Sequence, residues 1–223
     1  MKLSKVIAAA AAAVAAFSLF CASAATNENF AKELNSLGLF KGTDNGFDLD
    51  STLTREQAAT MLVRLNGAEK TLSSQDSSDI FKDVPSDRWS YPYVMYCYEN
   101  NITKGTSEDT FSPEKEITGQ EFVTLTLRLL GYENAEPEKA YSKAVAVGLF
   151  NSSKAKELER KSSFTRDDMV YVVYRSLKAP TPDGGYFAKK LADNGVISKS
   201  EAEKYDVYAV TDDIDSVIDR IFD

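Results

Sequence analysis

Apolar positions recur at spacings of three and four in three stretches of the chain, and each stretch opens on a threonine. Ala58, Met61, Leu62 and Leu65 follow Thr54; Phe122, Leu125, Thr126 and Leu129 follow Thr118; Met169, Val172, Val173 and Ser176 follow Thr165. Such spacing gathers apolar side chains on one face of a helix, so three amphipathic helices are predicted. Each threonine is a predicted N-cap. The residue three positions on (Gln57, Glu121, Asp168) is placed to reach back to the cap backbone, as a capping box in the first two cases and a shorter version in the third. An arginine follows each threonine in the same register: Arg64, Arg128 and Arg175.

A second helix is predicted upstream of each threonine. Leu34, Leu37, Gly38 and Leu39 align with Cys97, Asn100, Asn101 and Ile102, and with Ala144, Val147, Gly148 and Leu149. Gly38, Asn101 and Gly148 fall where a helix ends in a left-handed residue, a conformation that glycine and asparagine tolerate best. Cys97 therefore belongs on an apolar face and reads as core rather than as a reactive thiol. Turn-forming loops join the helices, with Phe47 and Phe111 as plugs that pin them, with room for a very short strand. The predicted fold is mainly α: three helix-loop-helix repeats at 28–72, 79–134 and 139–180, each too small to bury its own face and so stacked on its neighbours. Ser73 to Ser78 reads as a linker. A C-terminal extension, 181–223, adds an apolar helix up to Gly195, a capping box from Ser198 to Glu201 and an apolar pattern at Ile214, Val217, Ile218 and Ile221.

The first residues change the compartment. Lys2 and Lys5 precede an Ala-rich apolar run from Val6 to Leu19, and Ala22-Ser23-Ala24 offers small residues for cleavage, the layout of a secretory signal peptide over 1–25. The run is short for a bilayer span, so the protein is expected to be exported, with no membrane span once the leader is removed. Without Lys2 and Lys5 the formal charge of −8 becomes −10, which disfavours nucleic acid and anionic lipid as partners. Histidine is absent and Cys97 is the sole cysteine outside the leader. A Ser-His-Asp triad, a Cys-His pair and a His-ligated zinc are thereby excluded, leaving only carboxylate chemistry. The reading is of a binding module that is not an enzyme and implies no cofactor.

The second unit runs Phe81-Lys82-Asp83-Val84, Trp89, Asn101-Ile102-Thr103-Lys104-Gly105, Phe111-Ser112-Pro113 and Ile117-Thr118. This order resembles the S-layer homology (SLH) family, whose repeat reads F-x-D-V, W, G-I-x-x-G, F-x-P and I-T-R-x-E. The first and third units match only its helix-end glycine and Thr-Arg parts. The resemblance implies a pseudo-threefold bundle on the cell wall or cell surface that grips secondary cell wall polysaccharide, often bearing acidic pyruvyl groups. It also implies ligand contacts in grooves between repeats, through the motif arginine and residues near the Asp and Trp. Carried over, those are Arg55, Arg166, Asp83 and Trp89.

The residues themselves agree in part. Arg55 and Arg166 stand at first helical positions, beside backbone N–H groups that could receive a carboxylate, although each could instead pair with an acid such as Asp50 or Asp168. Trp89 could stack on a sugar ring or fill the gap between repeats. Asp83 could bond a sugar hydroxyl or cap a helix beginning near Ser86. Gly119 stands where the motif has arginine, so a groove at the second unit's motif is expected to be weak. Three rival readings remain. Asp44, Gly46, Asp48 and Asp50 suggest calcium ligands but misplace the EF-hand glycine. Paired carboxylates could serve a glycoside hydrolase, but nothing marks such a pair. A surface assembly protein with degenerate glycan grooves and a protein partner is the alternative function.

Overall fold

The computed structural model describes residues 27–44, 46–72 and 80–206. The predicted leader, the predicted linker and the apolar pattern from Ile214 to Ile221 lie outside these residues. Among them are nine α-helices: α1 (Glu28–Ser36), α2 (Arg55–Leu65), α3 (Tyr91–Glu99), α4 (Gly119–Leu129), α5 (Ala140–Ala146), α6 (Ser152–Arg160), α7 (Arg166–Ser176), α8 (Phe187–Asp193) and α9 (Lys199–Glu203). The fold is mainly α. Extended pairing in the described residues is confined to isolated bridges, such as Thr52 with Thr165 and Thr54 with Glu116.

The helices begin and end for the reasons the sequence supplies. Thr54, Thr118 and Thr165 cap α2, α4 and α7, and Ser198 caps α9, each with a complete capping box. The box at Thr165 is as complete as the others, because the Asp168 carboxylate reaches the Thr165 N–H at 3.2 Å. At the far ends one pair of backbone bonds recurs. Gly38 N–H donates to Asn35 and Leu39 N–H to Leu34; Asn101 to Tyr98 and Ile102 to Cys97; Gly148 to Val145 and Leu149 to Ala144. This is the Schellman closure, and it requires the positive φ seen at Gly38 (73°), Asn101 (57°) and Gly148 (76°).

Two features depart from the expected plan. The third unit has no loop between its helices; α6 replaces it. Asn151 caps α6 by accepting from Lys154 N–H, and Ala155 and Leu158 supply a buried face. The extension also repeats this construction. Gly195 N–H donates to Ala192 and Val196 N–H to Leu191, and the capped α9 follows at once. Helices α8 and α9 are therefore built like α5 and α6.

Packing is exchanged between units. The upstream helix of each repeat lies on the threonine-capped helix of the one before it: α3 on α2, α5 on α4, and α1 on α7 across the chain. Helices α2, α4 and α7 are buried on most sides and form the centre, with α4 touching both others. Thr126 and Ser176 occupy apolar positions there because their hydroxyls bond back to the carbonyls of Phe122 and Val173. Cys97 is fully buried, and burial pushes its thiol well above the usual range. No helix among the described residues is long and apolar enough to cross a membrane.

Candidate functional site

The N-termini of α2 and α7 are seated on loops of neighbouring repeats. Arg55 and Glu56 N–H donate to the carbonyls of Lys115 and Pro113, and Arg166 and Asp167 N–H to those of Ser51 and Leu49. These amides are thus engaged by main-chain oxygens. The expectation that they stand open for a carboxylate ligand is corrected, since leaving helix-end donors unpaired in so buried a position would be costly.

The next acid in each motif locks the same contact. Glu56 accepts two hydrogen bonds from Arg88, at 2.8 and 3.0 Å, and the Ser90 hydroxyl at 2.6 Å. Burial alone would raise its carboxyl, yet the bonds from Arg88 and Ser90 and the Arg88 charge hold it below the usual value. Asp167 plays the same part toward the Asn27 N–H and side-chain amide. The later arginines tie down the upstream helix ends. Arg128 donates to the Ala135 and Ile102 carbonyls and Arg175 to that of Leu149, whereas Arg64 pairs with Glu69. Glu56, Arg88 and Asp167 were not anticipated from sequence.

Arg166 and Trp89 line one cleft of about 140 Å³, together with Lys41, Gln57, Thr60 and Arg64. All three repeats contribute to it. Arg166 donates Nε to the Phe47 carbonyl at 3.0 Å and lies over the Phe40 ring at 5.3 Å. Among the described residues no carboxylate lies within ion-pair distance of it; of the two acids suspected, Asp50 makes no such pair and Asp168 pairs with Lys161. Burial pulls its guanidinium below the usual value against the nearby charge of Asp48, and the charge of Arg64 adds to the fall. Glu69 bridges Lys41 and Arg64, at 2.7 and 2.8 Å, and takes the Tyr93 hydroxyl. Burial would raise this carboxyl, but the bonds from Lys41 and Arg64, the Arg64 charge and Tyr93 bring it down to about 2. Trp89 is 55% exposed and tilted against Tyr93, so it rims the cleft and does not fill core.

Arg55 sits in a second cleft of about 310 Å³, in equivalent surroundings of Lys104, Thr124 and Arg128. Its Nε donates to the Phe111 carbonyl at 2.8 Å, as Arg166 does to Phe47. Here, however, Glu121 meets the guanidinium at 3.2 Å, and Arg55 is almost fully buried. Burial lowers the Arg55 guanidinium against the opposing charges of Glu121 and Asp83. Asp83 accepts the Phe111 and Ser112 N–H groups at 2.9 and 2.7 Å, which fixes the loop under Arg55. Helix α3 starts at Tyr91 with Ser90 at its cap position, so Asp83 caps no helix near Ser86. Of the four residues singled out in the sequence, Arg166 and Trp89 share one cleft and Arg55 lines the other, while Asp83 lines neither and holds the Phe111–Ser112 loop.

At the second unit's motif, a Cβ on Gly119 would meet the Tyr141 hydroxyl and lie 3.1 Å from Phe164. The Tyr141 side chain takes up the space beside α4 into which a residue larger than glycine would project. The largest cleft, about 820 Å³ along α5 and the Gly131–Glu136 loop, holds none of the motif arginines, and Lys143 covers its Tyr132 ring. Among the described residues no group of three acidic or cysteine side chains is arranged to hold a metal; Asp48 takes the Ser51 hydroxyl instead.

Residues 80–123 match the S-layer homology domain. The chain carries an S-layer homology domain. Similar proteins share more of the chain than that domain. The middle cell wall protein of Brevibacillus brevis is 34% identical over 130 residues, 56% of this chain and 12% of its own. The cellulosome-anchoring protein of Acetivibrio thermocellus is 27% identical over 190 residues, 73% of this chain and 41% of its own. An endoglucanase of Bacillus sp. (strain KSM-635) is 28% identical over 121 residues, 48% of this chain and 12% of its own. The chain thus spans well under two thirds of the length of these relatives. Its S-layer homology domain and the surface proteins that share it assign the chain to the cell surface.

Proposed function

We propose that this protein is an exported, non-catalytic anchoring module that holds an acidic secondary cell wall polysaccharide through the Arg166–Trp89 cleft. One observation carries the reading: Arg166 is a half-buried guanidinium with no carboxylate partner among the described residues, in a cleft rimmed by Lys41, Arg64 and an exposed tryptophan. The three cations Lys41, Arg64 and Arg166 line the cleft, while Glu69 and Asp48 supply the negative charge near them. The cleft keeps a net positive charge and so favours a negative guest. At about 140 Å³ it equals the liquid volume of four to five waters, roughly 30 Å³ each. That space suits one acidic substituent, such as a pyruvyl ketal, with the Trp89 face left for the sugar ring carrying it. Anchoring is also what the name of the Acetivibrio thermocellus relative records for that protein.

Co-sedimentation of the purified protein with peptidoglycan sacculi tests the proposal, before and after acid extraction of wall polysaccharide. Binding should vanish on extraction and fall at least ~10-fold in Arg166→Ala, the loss of one charge-assisted contact. Failure to sediment with intact sacculi would refute it and redirect the search to a protein partner at the surface.

A further inference from the structure

We infer that an aromatic row running from the Arg166 cleft along α3, formed by Trp89, Tyr93 and Tyr96, seats the neutral sugars that follow the acidic one in the polysaccharide. This inference rests on the reading of the Arg166 cleft given above.

The row follows from register. Ser90, at the cap position of α3, already has helical backbone angles (φ −86°, ψ −8°), so Trp89 extends the stripe of that helix backwards. Positions four and three apart share a helix face, which aligns Trp89 with Tyr93 and Tyr93 with Tyr96. The Trp89 and Tyr93 rings stand 6.3 Å apart, and Tyr93 and Tyr96 are both half-buried. The other two tyrosines of α3 serve packing: Tyr91 is buried, and Tyr98 meets Phe81 edge-on. Both hydroxyls of the row are tied to the first repeat. Tyr93 donates to Glu69 at 3.1 Å, and the Asn66 side-chain amide donates to Tyr96 at 2.7 Å. The rings are thus held in place before a ligand arrives, so stacking on them costs little ordering. Helix packing alone does not call for this row. The positions of Tyr93 and Tyr96 are taken by Phe30 and Glu33 in α1 and by Ala140 and Lys143 in α5. Phe30 is stacked on Tyr174 at 4.0 Å and Ala140 is fully buried, so neither helix presents an equivalent row.

Length and charge identify the occupant. A helix rises about 1.5 Å per residue, so the seven steps from Trp89 to Tyr96 cover about 10 Å, the span of a short run of pyranose rings laid end to end. Each ring offers an apolar face to a sugar ring. At the far end Tyr96 lines a recess of about 120 Å³ with Thr71, Pro92 and Glu99. The Thr71 hydroxyl donates to the Ala68 carbonyl and keeps its lone pairs, and the exposed Glu99 carboxylate is an acceptor. These groups suit the hydroxyls of a neutral sugar. Glu99 also repels a second acidic substituent, just as Lys41, Arg64 and Arg166 attract the first at the opposite end. The tract therefore has a direction, with the acidic residue in the cleft and neutral residues along α3.

The test compares two probes on the full chain by isothermal titration calorimetry. One is the methyl glycoside of a pyruvylated N-acetylhexosamine; the other is a trisaccharide carrying the same residue ahead of two neutral N-acetylhexosamines. The unaltered chain should bind the trisaccharide at least ~10-fold more tightly. Tyr96→Ala should cut that advantage to about twofold and leave the monosaccharide unchanged, while Tyr96→Phe, which keeps the ring, should retain most of it. Should Tyr96→Ala lose the monosaccharide as well, Glu99→Ala, at an exposed position, decides in its place by weakening the trisaccharide alone by ~3-fold. Equal affinity for the two probes in the unaltered chain would overturn the inference while leaving the Arg166 cleft standing. So would an undiminished trisaccharide advantage in Tyr96→Ala, or in Glu99→Ala where that variant decides. Binding of neither probe to the unaltered chain would strike the proposed function, and this inference with it.

Discussion

Replacing Glu56 by glutamine tests the account of how the repeats are joined. The carboxylate is 7% exposed and receives Arg88 twice and Ser90 once. Hydrogen bonds to charged groups contribute about 1.5–3 kcal/mol each when deleted, but the two from Arg88 belong to one bidentate contact and do not add fully. Breaking a wholly buried ion pair costs about 3–5 kcal/mol because the surviving charge is stranded. Arg88 is not stranded: its side chain is 21% exposed and it keeps Glu114 at 3.0 Å. Glutamine also retains one acceptor for Ser90. A cost of about 2 kcal/mol follows, or about 4–8 °C in Tm for a chain of this length. Differential scanning calorimetry at pH 7 measures it. The pH dependence supplies an internal check. Because the folded Glu56 carboxyl lies below its unfolded value, its contribution is present above the unfolded pKa, roughly 4.3. It is lost as pH falls through the folded value. The gap between the two proteins should be constant from pH 7 to 5.5 and close in stronger acid. A shift under 1 °C at pH 7, typical of a surface substitution, would refute the clasp.

Three further outcomes are expected. Gly119→Ala should lower stability by about 1–3 kcal/mol through overpacking against Tyr141 and Phe164, and Tyr141→Phe in the same chain should recover part of it; a gain in Tm for Gly119→Ala alone would contradict the described packing. Trp89→Ala should change stability by less than about 0.5 kcal/mol while weakening attachment to sacculi. As Trp89 is the only tryptophan, its fluorescence should respond to the ligand, and an unresponsive signal would remove it from the cleft. Glu69→Gln should flatten the acid limb of stability between about pH 4.5 and 2. The folded Glu69 value of about 2 lies below the unfolded one, so its contribution exists above the unfolded value and disappears as pH falls through 2.

What was legible in the sequence were features fixed within a few residues. Thr54, Thr118 and Thr165 announce their helices because a capping box is local, and Gly38, Asn101 and Gly148 announce ends because a left-handed residue is local. Helix α6 was missed because its segment aligned with two loops, although Ala155, Lys156, Glu157 and Leu158 are good helix formers. The site was harder. Arg55 and Arg166 look alike along the chain, and the carboxylate that separates their environments comes from 66 residues away, at Glu121. Asp83 looked like a ligand or a cap because its true partners, the amides of Phe111 and Ser112, become neighbours only when the loop folds. The Arg88–Glu56 contact spans 32 residues and two repeats. It had one sequence signal, an acid directly after each of two motif arginines, at Glu56 and Asp167.

The exchange of helices between units separates heredity from folding. The stretch that matches the domain family, 80–123, begins before α3 and ends inside α4. Its α3 rests on α2 of the preceding unit, and its loop carbonyls at Pro113 and Lys115 are consumed by that unit's helix start. Cut out alone, it would lose the surface that α3 covers and leave Ser90 and Arg88 without Glu56. The segment that the family match marks out is therefore not the unit of packing, which closes only where α1 returns to α7.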